Sequence, residues 1–302
     1  MLLVSLALIV LTFLTVMLVS GNNLSACVGP AIGSRILTKN FGILLGAVGF
    51  TSGLLIQGTF MAKSVDKLLP NITPELQAEA LLVSIIIFVI ADVMRVPLSY
   101  TMSLAGLLAG LSIARGVLID QGYIFEVVVM WVVAPIIAII FVFFVLRLFH
   151  TKKSKHIWKR LQIYKIAIII FSFSSAYVLG ANTLGLIVAT GSESIITIVA
   201  AVIAIFIGSF YFSAGEIKRV SQELFLMRYP NTTVTLLAST LLVEIATLFN
   251  IPLSNTQTLS SAVFGAGLSY KSRFISLKPF IAIVVGWIIA PVVSFILGLI
   301  LG

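Results

Sequence analysis

The chain has 302 residues, 60% of them hydrophobic and 10% charged, with a formal net charge of +9. Soluble domains carry roughly 25% charged residues, so a water-soluble fold hiding several apolar runs of about twenty residues is excluded. A β-barrel would show short alternating segments instead, which leaves an all-α polytopic membrane protein.

In chain order, six long spans stand out, at about 2–36, 40–62, 123–148, 163–190, 194–214 and 279–301. The first opens without a basic flank or a small-residue cleavage site, so it reads as a retained span rather than a signal peptide. It is interrupted near 20–24 by "SGNNLSAC", and the span at 163–190 is interrupted near 180–185 by "GANTLGLI". Two other apolar regions, about 80–116 and 232–269, carry a proline halfway, in "RVPLSYT" and "NIPLSNT". Each half of these regions is short for a bilayer. A helix ends before proline, and the following Ser99 or Ser254 is suited to cap a new one. Both regions therefore read as re-entrant helical hairpins, which the membrane tolerates only where protein surrounds the tip.

Positive charge orients the spans. With both termini outside the cell membrane, fifteen Lys/Arg fall on the cytoplasmic side and three outside, with Arg95 at a hairpin tip. The run Arg147 to Lys165, which holds His150 and His156, becomes a basic cytoplasmic linker over 150–162. The basic surplus is thus a topology signal with lipid contact, and no nucleic-acid module is present. Cys27 is the single cysteine, which excludes an intramolecular disulfide framework and a zinc cluster.

The two halves, 1–149 and 163–302, repeat. Asn22 matches Asn182, Pro97-Leu-Ser99 matches Pro252-Leu-Ser254, Thr101 matches Thr256, and "WVVAP" at 131–135 matches "WIIAP" at 287–291. Each half has three crossings plus a hairpin, and an odd number of crossings inverts the second half. Inverted repeats with broken helices at the midplane are a secondary-transporter architecture. No membrane histidine, nucleophile motif or acidic metal cluster points to an enzyme.

These residues resemble the PiT-type inorganic phosphate transporter family, which includes sulfate permeases. Its duplicated signature, roughly G-A-N-D-V-A-N-A followed by P-V-S-T-T-H, is matched by "SGNNLSAC" and "GANTLGLI", and by "PLSYTM" and "PLSNTQ". The resemblance spans the whole chain and implies phosphate transport coupled to sodium or protons, with no other cofactor. The chain departs from it where the signature aspartates become Asn23 and Thr183, and where Met102 stands at the hairpin His position.

An oxyanion needs hydrogen-bond donors. The expected substrate set is Asn22, Asn23, Ser99, Thr101, Asn182, Thr183, Ser254, Asn255, Thr256 and Gln257, joined by the free amide hydrogens of two helix N-termini. Intramembrane acids are costly and functional by default, so Glu244 and Asp92 join Asn22 and Asn182 as candidates for the coupling ion. Asp92 also has Arg95 one turn away for an ion pair. Ser239 and Thr240 are expected only to bond back to the preceding turn. The leading expectation is alternating access for phosphate. A sulfate permease and a passive anion channel are the alternatives, and a homodimer is the assembly expected.

Overall fold

A computed structural model describes residues 2–93, 98–151, 157–213, 228–269 and 277–302, and every regular element among them is helical. The first half holds α1 (Leu2–Gly33), α2 (Lys39–Gln57), a short α3 (Phe60–Leu68), the hairpin arms α4 (Pro74–Val93) and α5 (Tyr100–Ala114), and α6 (Gln121–Thr151). In the second half α7 (Ile157–Leu179) runs through a π-helical turn (Gly180–Leu184) into α8 (Gly185–Gly191). After it come α9 (Ile195–Tyr211), the hairpin arms α10 (Tyr229–Leu248) and α11 (Asn255–Ser269), and α12 (Leu277–Leu301). Among the described residues, eight helices are long and apolar enough to cross a membrane.

Two expectations need correction. The polar stretch at 20–24 does not interrupt the first span: α1 is one helix of 32 residues. Its backbone groups are paired along the helix, so Asn22 and Asn23 project as side chains without unwinding it. The stretch at 180–185 is a π-helical turn, which inserts a residue and keeps the helix going. The true breaks are at the hairpin tips. There too the arms are unequal. α4 and α10 have 20 residues each, enough for about 30 Å, whereas α5 and α11 have 15.

The end of α10 shows how a tip is turned. Asn250 adopts φ 58°, and Ile251 N donates back to Ala246 O at 2.8 Å. This is a Schellman-type stop, and Asn tolerates the left-handed backbone it requires. The segment that follows is closed off from solvent: Ile251 is 6% exposed, Leu253 0% and Ser254 2%.

The packing repeats as the sequence does. α5 lies along α12, and α11 lies along α6; α1 packs on α9, and α2 packs on α7. Each of these contacts joins one half to the other, and each has a counterpart under the internal symmetry. The halves are therefore interleaved, not set side by side. The outer surface is apolar. Val132, Ile136, Ile140 and Phe144 form an exposed stripe along α6, at the i, i+4 spacing of one helix face. Buried serines and threonines face inward.

Two glycines set the closest approaches. A Cβ on Gly53 of α2 would lie 1.8 Å from the Tyr177 carbonyl oxygen, and one on Gly208 of α9 would lie 2.1 Å from that of Met17. Met17 and Tyr177 have the same separation in sequence as Asn22 and Asn182, so these are one contact made twice. The obstacle is backbone and cannot swing aside. Gly53→Leu and Gly208→Leu should each destabilise the purified protein by more than about 1–3 kcal/mol, the usual range for overpacking. Thermal unfolding in detergent checks this, and a Leu in place of the lipid-facing Val132 should have little effect.

Candidate functional site

Both hairpins restart their helices in the same way. Ser99 caps α5, its Oγ accepting from Met102 N at 3.4 Å; Ser254 caps α11, its Oγ accepting from Gln257 N at 3.2 Å. These are the N-caps that the Pro-Leu-Ser motif predicts. Ser99 O and Ser254 O accept the next amides, from Ser103 and Thr258. The amide hydrogens of Tyr100, Thr101, Asn255 and Thr256 are then left without a partner among the described residues, at the positive end of each helix dipole.

The neighbouring Asn182 and Thr183 join the two tips. Thr101 Oγ1 and Thr183 Oγ1 are 2.9 Å apart, joining the first hairpin to the π turn of the second half. Ser254 Oγ and Thr256 Oγ1 are 3.0 Å apart. Ser99, Thr101, Thr183, Ser254 and Gln257 are buried, and Asn22, Asn23 and Thr256 are half-buried. Asn22 and Asn23 make no side-chain hydrogen bond to a described residue; the Asn22 carbonyl accepts from Ser25 Oγ at 2.9 Å.

Two of the expected site residues have structural partners instead. Asn182 Nδ2 donates to Thr247 Oγ1 at 3.0 Å and to Ile251 O at 2.9 Å, and its Oδ1 accepts from Leu253 N at 3.0 Å. Both of its donors are used, and they hold the second tip. Asn255 Oδ1 accepts from Ser239 Oγ at 2.8 Å, and its Nδ2 faces Ser175 Oγ at 3.4 Å and Cys27 Sγ at 3.5 Å. Ser239 therefore does not bond back to its own turn, as expected above; it ties the two arms together because the facing arm offers a better acceptor. The equivalent serine of the first hairpin, Ser84, meets the Tyr100 hydroxyl at 2.6 Å. Thr240 Oγ1 has no partner. Gln257 Nε2 donates to Trp131 O at 3.0 Å, and its Oε1 is unpaired.

Sequence reasoning passed over three positions that position the site. Trp131 Nε1 donates to Pro252 O at 2.8 Å, so the repeated Trp is a clamp on the hairpin tip. The signal was present: a half-buried indole N–H needs an acceptor. The Tyr123 hydroxyl donates to the Asn250 carbonyl and lies 2.8 Å from Ser64 Oγ. Gln57, at the end of the apolar α2, donates to Glu244 Oε1 at 2.9 Å. Arg95 and Pro97 lie outside the described residues, as does the side chain of Asp92. Among the described residues no group of three or more His, Cys, Asp or Glu gathers to hold a metal.

Asn182→Ala should leave the Leu253 N–H and the Ile251 carbonyl unpaired, at about 1–3 kcal/mol for each buried group. Hydrogen exchange should accelerate at residues 251–253 by tenfold or more and remain unchanged in α9. Mass spectrometry of exchanged peptides reads this directly.

Comparison with known proteins gives the family. The profile of the phosphate transporter family matches twice, over residues 19–172 and 149–298. A candidate phosphate permease of Methanocaldococcus jannaschii is 24% identical over 97% of this chain and 95% of its own length. The sulfate permease CysP of Bacillus subtilis is 26% identical over 96% of this chain and 84% of its own. A solved structure, of a sodium-dependent phosphate transporter, superposes with a TM-score of 0.87 at 15% identity, covering 98% of this chain and 97% of that one. With both halves matched and the fold shared end to end, the chain is a multi-pass membrane protein of the phosphate transporter family.

Proposed function

We propose that the protein carries inorganic phosphate across the membrane by alternating access, driven by a sodium or proton gradient. The observation that carries this reading is the pair of Ser-capped helix N-termini, α5 and α11, brought to buried tips from opposite halves. Each offers two amide hydrogens without a partner among the described residues and a neighbouring threonine hydroxyl, Thr101 or Thr256. Amide and hydroxyl hydrogens in a water-poor setting replace the hydration of an oxyanion, and helix dipoles favour its charge. Replacement of the signature aspartates by Asn23 and Thr183 removes negative charge from the neighbourhood. The family match and the M. jannaschii relative support phosphate as the cargo.

Within this reading Asn23 and Thr256 touch the anion, since both remain half-buried and open to it. Ser99 and Ser254 aim the amides, and Asn182, Asn255 and Trp131 hold the tips. One group of helices moves against the other, and the connection between α6 and α7 faces the cytoplasm. Accumulating an anion against a negative-inside potential opposes about 2.3 kcal/mol per charge per 100 mV, so a gradient must drive it.

Labelled phosphate uptake into proteoliposomes tests the proposal. Uptake should saturate, should accumulate phosphate only with an imposed sodium or pH gradient, and should resist excess sulfate. Thr256→Val and Asn23→Ala should each lower kcat/KM at least tenfold, equivalent to about 1.4 kcal/mol. Displacement of phosphate by equimolar sulfate would make the protein a sulfate permease. Non-saturating flux without accumulation would make it a passive channel.

A further inference from the structure

Glu244 lies on α10, one turn before the Thr247 that Asn182 engages. Gln57 ends α2 in the other half. Their hydrogen bond, Gln57 Nε2 to Glu244 Oε1 at 2.9 Å, therefore ties the two repeats together. The remaining polar atoms of the pair, Gln57 Oε1 and Glu244 Oε2, are both shut off from solvent and both without a hydrogen-bond partner. With the carboxyl ionised, both are acceptors. A buried carboxylate oxygen and a buried amide oxygen are then both unmatched within one hydrogen-bonded pair, an arrangement that folded proteins avoid.

One proton satisfies both. Placed on Oε2, it converts that oxygen to a donor, and the Gln57 carbonyl is the acceptor within the pair. A carboxylic acid and a primary amide are complementary, each giving one hydrogen and taking one. We propose that Gln57 and Glu244 form a proton-binding latch between the two halves: closed when Glu244 is protonated, released when it is ionised. The proposal rests on the transport reading above and narrows its coupling ion to the proton. A sodium ion would need oxygen ligands beyond the two that this pair itself leaves free.

The surroundings suit a single titrating group. Among the helices packed on α10, α11 carries no ionisable residue, and α1 carries only Cys27, which lies in the Asn255 network. α7 presents Tyr177; its Lys159, Arg160, Tyr164 and Lys165 stand three turns or more away along the helix. α3 carries Lys63, Asp66 and Lys67, and Lys67 Nζ sits 4.4 Å over the Tyr123 ring. α6 carries Tyr123, bonded to Asn250 and Ser64, with Glu126 and Arg147 further along it. α2 has Lys39 at its far end. The latch reads out through Thr247: α10 is continuous from Glu244 to the Asn182-held tip, so a shift at one reaches the other.

Infrared difference spectroscopy of the purified full chain in lipid nanodiscs, without phosphate, tests this. The wild type should show a carboxylic-acid C=O band that disappears on alkalinisation and is absent in Glu244→Gln. Gln57→Leu should move its titration midpoint by at least tenfold in proton concentration, and sodium should leave it in place. Glu244→Asp, which keeps the acid and shortens its reach, should likewise displace the midpoint, and it serves if the Gln variant fails to fold. No Glu244-dependent band at any pH where the protein stays folded would overturn the latch. So would a band that sodium abolishes and Gln57→Leu leaves unmoved. A titrating band in a protein whose phosphate uptake ignores the pH gradient would uphold the latch and refute proton-coupled transport, so the two readings fail separately.

Discussion

A polar turn placed inside a bilayer must find every hydrogen bond within the protein, because lipid offers none. That constraint organises this molecule. The second hairpin tip carries a left-handed Asn250, with carbonyls at Asn250, Ile251 and Pro252 and an amide at Leu253 that take their partners from side chains. Three side chains on two helices supply the partners. Tyr123 and Trp131 come from α6 of the first half, and Asn182 comes from the π turn of the second. The tip can be irregular only because a neighbouring repeat encloses it, and that requires the halves to interleave.

Interleaving in turn requires close approach. Where α2 meets α7 and α1 meets α9, Gly53 and Gly208 let backbone touch backbone. The contact energy there is dispersion from many near-optimal atom pairs, in a medium where burial of apolar surface gives little drive. The same crossings bring Asn182 and Thr183 to the hairpins. Packing and site geometry are thus one arrangement: glycine contacts fix the distance, and the amide and hydroxyl side chains use it.

The two halves share this plan without sharing all its chemistry. A serine ties the arms of each hairpin, Ser84 to Tyr100 and Ser239 to Asn255. Tyr100 adds an edge-on contact with Phe88, ring centroids 5.6 Å apart, and fills its junction with apolar bulk. Asn255 fills the equivalent junction with a polar network reaching Ser175 and Cys27. Glu244 has no acidic counterpart in the first hairpin.

The amino-acid sequence by itself determined the class, the inverted repeat and the Ser-capped hairpins. Apolar run length, Pro-centred breaks and repeated landmarks are local signals, and a bilayer leaves a chain few ways to answer them. What only the tertiary structure decided was the fate of each polar side chain. Asn22 and Asn182 look alike in sequence, yet Asn182 has both donors committed to the hairpin tip, while Asn22 is half-buried on an unbroken helix. Trp131 reads as a landmark and turns out to clamp Pro252, and Gln57 finds Glu244 across 187 positions. A hydrogen-bonding group declares its capacity in the sequence; its partner is set by which helices the fold brings within 3 Å, and no local pattern encodes that.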